Sequence, residues 1–390
     1  MPGALVVSGR VIDGVTKNPI HEFRVVPGVR YNQNQMFWNR NESFLATGGH
    51  YEIRRTRGDL AHLIRIEADG YQAAVSRDIK SDEGKISIDF ELKKGTNVVA
   101  RVVTPRNLPA DGAKVALGVA GSQIHVKNGD IDDISTFCAR ESTDATGRFH
   151  FPAQDNDFQL VITHPSGFAH ISSTPEWELT RIIHLEPWAN VEGTFRVGKT
   201  PAANVPISLD VSRLNSHGKN VPNIFTRHES STGPDGRFVF ERAIPGAGWI
   251  GRRITLMADE GATEVTSSHK ITAKFAAGTT VHIDLGGNGR TVVGKLLPPE
   301  EFKDKVCWNF ALIDVRSDAN EDRPNSYFTA TVDRDGTFRI DDVPTGDYAL
   351  SVWIQRDDAG HLRNYRFRVP PQEGVRAAEP VDLGPLKLTR

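Results

Sequence analysis

One short turn recurs four times in this chain, and it constrains the fold more than any other feature. It reads TDATGRFHF at residues 143–151, TGPDGRFVF at 232–240 and TVDRDGTFRI at 331–340, with a degenerate first copy, TGGHYEI, at 47–53. Asp tolerates the turn, Gly supplies the positive φ that ends it, and an alternating aromatic–polar–apolar strand leaves at once, which is the chemistry of a β-hairpin. The turn glycines Gly49, Gly147, Gly236 and Gly336 stand 98, 89 and 100 residues apart. A period of that length is a domain rather than a solenoid unit.

Two further elements accompany each turn. Before it comes a short strand carrying a small residue and leading to a proline: VSGRVI (7–12), VVARVV (98–103), VEGTFR (191–196) and TVVGKL (291–296). After it come further strands of period two, and each copy closes on one, such as ISIDFEL (86–92) or TVHIDL (280–285). About seven short strands per copy, with turn signals between them, predict a β-sandwich. The chain therefore reads as all-β, four tandem seven-stranded antiparallel sandwiches at 1–94, 95–188, 189–287 and 288–390, the first with a loop insertion at 29–45. Helical leaning is confined to 175–179 and 298–303. Links of a few residues predict modules set end to end, each with its own core, and so a multi-step unfolding.

Composition narrows the partners. The 47 Lys and Arg nearly cancel the 49 Asp and Glu, and no long basic run exists, which removes the field a phosphate backbone needs and speaks against nucleic acid. No stretch approaches the roughly 20 apolar residues that cross a bilayer, and residues 1–10 lack the basic and apolar regions of an export signal. Cys138 and Cys307 lie far apart, outside any disulfide or metal spacing, and read as buried thiols.

The three-part signature, GxV early, TDxxGxF in the middle and PxGxYxLxV after it, resembles the carboxypeptidase regulatory-like domain. That domain is a transthyretin-like (prealbumin/Ig-like) sandwich related to the B-type repeats of collagen adhesins. Residues 331–352 match best, and the openings at 12–20 and 23–28 resemble repeat regions of large bacterial envelope proteins and sensor fusions. The resemblance implies the fold, an extracytoplasmic setting, and a spacer or interaction role without catalysis, or an accessory array for an enzyme or sensor outside this chain. It implies no cofactor. No HxxE zinc pair with a downstream His, no HExxH motif, no nucleophile elbow and no phosphate loop is present, and Lys17 and Lys295 belong to no repeated Lys/Asn/Glu set for an isopeptide crosslink.

The insertion VRYNQNQMFWNRN at 29–41 interleaves aromatic residues with amides and Arg. Sugar C–H faces stack on aromatic rings while hydroxyls bond to Asn and Arg, so Tyr31, Trp38, Asn39 and Arg40 are the candidate ligand-binding residues, with a glycan or a protein as partner. The competing reading packs Phe37 and Trp38 against the protein itself. The first reading needs Trp38 exposed beside Tyr31; the second needs it buried. Five histidines of the second module (His125, His150, His164, His170 and His184) and the acidic clusters at 130–133 and 333–336 are weaker metal candidates.

Overall fold

A computed structural model describes residues 5–389 apart from 34, 56–59, 133–136, 174–180, 215–219, 258–262, 304–305, 307, 309–310, 318–325, 355–359 and 372–378. The helix-leaning segment at 175–179, Trp177, Asp133 and Cys307 lie outside the described residues. Among those described, regular structure is β-strand with short 3₁₀ turns such as Arg40–Glu42 and, where the sequence leans helical near residue 300, Glu300–Phe302.

One pairing pattern occurs four times. The first strand of each repeat pairs antiparallel with the strand leaving the recurring turn and parallel with the last strand. Leu5–Asp13 does so with His50–Arg55 and with Lys85–Ser87 and Phe90–Leu92. Val98–Val103 lies between Arg148–Phe151 and Ile182–His184, and Ala189–Val197 between Arg237–Ala243 and Thr280–Gly286. Arg290–Leu297 lies between Thr337–Val343 and Val381–Lys387. The opposing sheet is built on the second strand, Glu22–Asn32, Lys114–Gly118, Pro206–Asp210 or Ala311–Ser317, with antiparallel neighbours. Seven strands that reverse at every turn leave the first and last pointing the same way, so this one pair is parallel in an otherwise antiparallel sandwich.

The register explains why the motifs travel together. The aromatic residue after each turn stands directly opposite the small residue of the first strand: Tyr51 opposite Gly9, Phe149 opposite Ala100, Phe238 opposite Gly193 and Phe338 opposite Gly294. At the three glycines the ring lies over the gap left by the missing side chain. At Gly193 a Cβ would meet the Ile283 carbonyl oxygen at 1.6 Å and the Phe238 ring at 2.8 Å, so the first strand, the turn strand and the last strand converge there.

The turn itself is held by backbone and carboxylate together. In the fourth repeat the Gly336 N–H donates to the Asp333 carbonyl at 2.9 Å, and Asp335 accepts from the Thr337 N–H and hydroxyl. Gly336 has φ +84°, its carbonyl accepts from Leu296 N–H at 2.8 Å, and a Cβ would sit 2.8 Å from the Leu296 oxygen. Gly336→Val forces a β-branched residue into the left-handed region against backbone that cannot yield. It is expected to cost roughly 1–3 kcal/mol, read as a lowered denaturation midpoint; an unchanged midpoint would contradict the turn assignment.

The chain forms two compact units, residues 1–188 with 214–226, and residues 189–213 with 227–390. Unit 1 holds the first two repeats, and the first keeps a core of its own around Leu5, Val25, Ile66 and Phe90. Val26, Trp38 and Leu63 of the first repeat join Val98, Val115, Leu117, Phe151 and Leu160 in the second repeat's core, because the strand Glu22–Asn32 continues past its own sandwich into the insertion. Unit 2 joins its repeats differently. Thr263–Phe275 of the third pairs with Ser326–Thr331 of the fourth, Lys270 opposite Tyr327 and Ile271 opposite Ser326, so two sheets run on as one.

Candidate functional site

The insertion is a hairpin. Gln35–Trp38 returns along Glu22–Asn32 with Gly28 opposite Trp38, Val29 opposite Phe37 and Arg30 opposite Met36. Alternation along a strand places Phe37 and Trp38 on opposite faces. Trp38 takes the inner face and is 2% exposed. Its indole lies against Gly28, where a Cβ would come within 2.6 Å of the ring, and its Nε1–H donates to the Ala120 carbonyl of the second repeat at 2.9 Å. Trp38 therefore pins one repeat to the next and offers no face to a ligand.

Arg40 also turns inward. From the 3₁₀ turn that follows the hairpin its two terminal nitrogens grip both oxygens of Glu67, at 2.9 and 2.6 Å. Glu67 Oε1 accepts in addition from Arg65 Nε at 2.8 Å, and Arg65 reaches into the second repeat, to Asp155 Oδ1 at 3.1 Å and Gln154 Oε1 at 2.8 Å. Burial pushes the Glu67 carboxyl up, but the two guanidinium groups outweigh it and hold it at about 2. Two cations and two carboxylates thus cancel across the seam, with Arg65 and Glu67 buried. Such a network fixes a unique arrangement because removing any member strands a charge.

The other two candidates face outward. Tyr31, 54% exposed, stands edge-on to Phe37 at 5.4 Å, and Phe37 meets Phe137 of the second repeat edge-on at 6.3 Å. These rings line a groove of about 360 Å³ whose remaining walls are Gly28, Val29, Asn39, Arg55 and Gln123. Asn39 donates through Nδ2 to Glu42 Oε1 at 2.8 Å, and Arg55 pairs with Glu42 Oε2. The structure thus brings Tyr31 and Asn39 together and takes Trp38 and Arg40 away. Phe37, Phe137, Arg55 and Gln123 were not among the sequence candidates. Alternation in the hairpin carries a signal for Phe37; the others come from distant segments and carry none.

Most of the weaker metal candidates have partners of their own, while His184 lies exposed at the end of the strand Ile182–His184. His150 bonds to Asn97, His164 to Ser166 and His170 to Gln159, while His125 stacks on Phe225. Asp130 pairs with Lys114 and Asp335 serves the turn. Among the described residues no group of three or more His, Cys, Asp and Glu is arranged to hold a metal ion. Cys138 is buried, and burial pushes its thiol up to about 11. Trp188 stacks on Phe168 at 5.0 Å within the second repeat, and Trp308 packs on the fourth repeat's core. No helix among the described residues is long and apolar enough to cross a membrane.

The family model described as polysaccharide lyase family 4, domain II, matches residues 303–356, which carry the second strand, the recurring turn and the strand Gly346–Ile354 of the fourth repeat. No curated protein matches the chain. Among solved structures the chain is similar to a Streptococcal ancillary pilin, with 11% identity over 72% of this chain and 99% of that one and a TM-score of 0.22. It is similar to the Bacillus anthracis TIE protein, with 10% identity over 95% of this chain and 69% of that one and a TM-score of 0.19. A third is the shaft pilin SpaA of Lactobacillus rhamnosus GG, with 9% identity over 47% of this chain and 97% of that one and a TM-score of 0.20.

Proposed function

We propose that this chain is a non-enzymatic array of four sandwich modules, bounded at residues 94, 188 and 287, that serves as spacer and interaction surface of a larger bacterial protein outside the cytoplasm. The setting rests on the resemblance of its signature to envelope-protein repeats. The mechanical role rests on one observation, the parallel pairing of first and last strand in all four repeats. When a chain is drawn out from its ends, each module is gripped by the start of its first strand and the end of its last. Parallel neighbours gripped in this way are loaded in shear, and their hydrogen bonds must break together rather than one by one. The side chains that fill the seams within each unit, Trp38 and the Arg65 network in one and the joined sheets in the other, stiffen the links that a spacer must hold.

Single-molecule extension of the full chain tests this reading. The expected trace shows discrete unfolding steps, each releasing about 300 Å of chain, as roughly 95 residues at about 3.4 Å each give less the folded length. Smooth lengthening at low force, without steps, would overturn the mechanical role.

A further inference from the structure

We propose that the groove lined by Tyr31, Phe37 and Phe137 binds a neutral glycan, with the three rings as the stacking surface and Asn39, Gln123 and Arg55 as the hydrogen-bonding groups. This goes beyond the spacer role and stands whether or not the array carries load.

Four observations converge on it. The exposed Tyr31 ring is held edge-on by Phe37, which in turn is held by Phe137, so an amphipathic face is fixed in place before any ligand arrives. Rings of this kind bury large area at little entropic cost and stack on the C–H face of a sugar. The polar groups have capacity left over. Gln123 makes no hydrogen bond through its amide among the described residues, and Asn39 uses only its Nδ2, leaving Oδ1 to accept. Arg55 spends its Nη1 on Glu42 and makes no hydrogen bond through its Nη2 among the described residues.

Charge and size then choose the ligand class. Arg55 and Glu42 neutralise each other at the groove wall, so no net field calls for an acidic or basic ligand. A volume of about 360 Å³ lies at the small end of the roughly 300–1,000 Å³ typical of ligand sites, room for a sugar or two rather than for a protein surface. Trp38 and Arg40 take no part, since both are committed to the seam behind the groove.

Calorimetric titration of the intact chain with cellotetraose, xylotetraose, mannotetraose and chitotetraose, and with tetragalacturonate as the acidic comparator, tests the proposal. At least one neutral oligosaccharide is expected to bind, with affinity falling at least tenfold in Tyr31→Ala and in Phe137→Ala and holding within twofold in Tyr31→Phe. Tyr31 is exposed, so its truncation leaves the fold standing, which far-UV circular dichroism verifies. Binding to no neutral member overturns the ligand class, as does binding to tetragalacturonate alone. Affinity that survives both alanine variants overturns the site.

Discussion

Two buried histidines are expected to withdraw roughly 6 kcal/mol of stabilisation from unit 2 between pH 7 and pH 4, because neither can accept a proton without breaking what surrounds it. His228 and His269 are both nearly inaccessible, and burial holds each imidazole down at about 4 against an ordinary value near 6.5. The unfolded chain therefore binds more protons than the folded one below pH 6.5. The stabilising contribution is complete above that pH and drains away as pH falls toward 4, about 3 kcal/mol for each ring. Asp342 works in the opposite sense, since burial pushes its carboxyl up and acidification relieves it.

His269 carries the structural consequence. It sits between the third and fourth repeats, edge-on to Phe195 on one side and Phe328 on the other. Its Nε2–H donates to the Asp341 carbonyl, so Nδ1 accepts from the Ser268 hydroxyl, which accepts in turn from the Thr329 N–H. A proton on Nδ1 turns an acceptor into a donor and sets it against that hydroxyl. Of the charged groups around it, Arg252 opposes the proton and Asp341 favours it. Denaturant unfolding of the full chain at steps from pH 7.5 to 4.5 reads the effect, and His269→Gln should flatten the slope. Constant stability down to pH 5 would contradict it.

Trp38→Ala is expected to cost 3–5 kcal/mol in unit 1, the range for emptying a buried aromatic site. The loss should appear in the second repeat although Trp38 belongs to the first, since the ring completes the core of Val98, Leu117 and Leu160. Faster hydrogen exchange in Lys114–Gly118 reads this, with Ala311–Ser317 as the internal reference. Trp38→Phe, which keeps the bulk and loses the bond to the Ala120 carbonyl, should cost about 1 kcal/mol. Unchanged exchange in the second repeat would show that the seam contributes nothing.

What the sequence discloses and what it hides divide along one physical line. Turn chemistry is local, and Gly49, Gly147, Gly236 and Gly336 all adopt the positive φ that their motif predicts. The strand pattern is nearly as local, since a period of two reports which face is buried. Contacts between repeats are not local. Phe37 and Trp38 look alike in sequence, and which of them turns inward depends on where the second repeat presents Ala120 and Gly121. Arg40 has the composition of a ligand-binding residue, yet Glu67, 27 positions away, claims it. His269 carries no motif at all; only the packing of two repeats around it makes it notable.

The joined sheets of unit 2 bear on how such a protein survives crowding. Thr263–Phe275 and Ser326–Thr331 would each border an open sheet, with backbone groups available to any passing strand, and they meet each other instead at Lys270–Tyr327 and Ile271–Ser326. One border of this sheet, Leu362–Val369, carries Arg363, Arg366 and Arg368 along its length. A second copy approaching that border meets its own charge. That border is thereby kept from serving as the template on which a neighbouring chain grows.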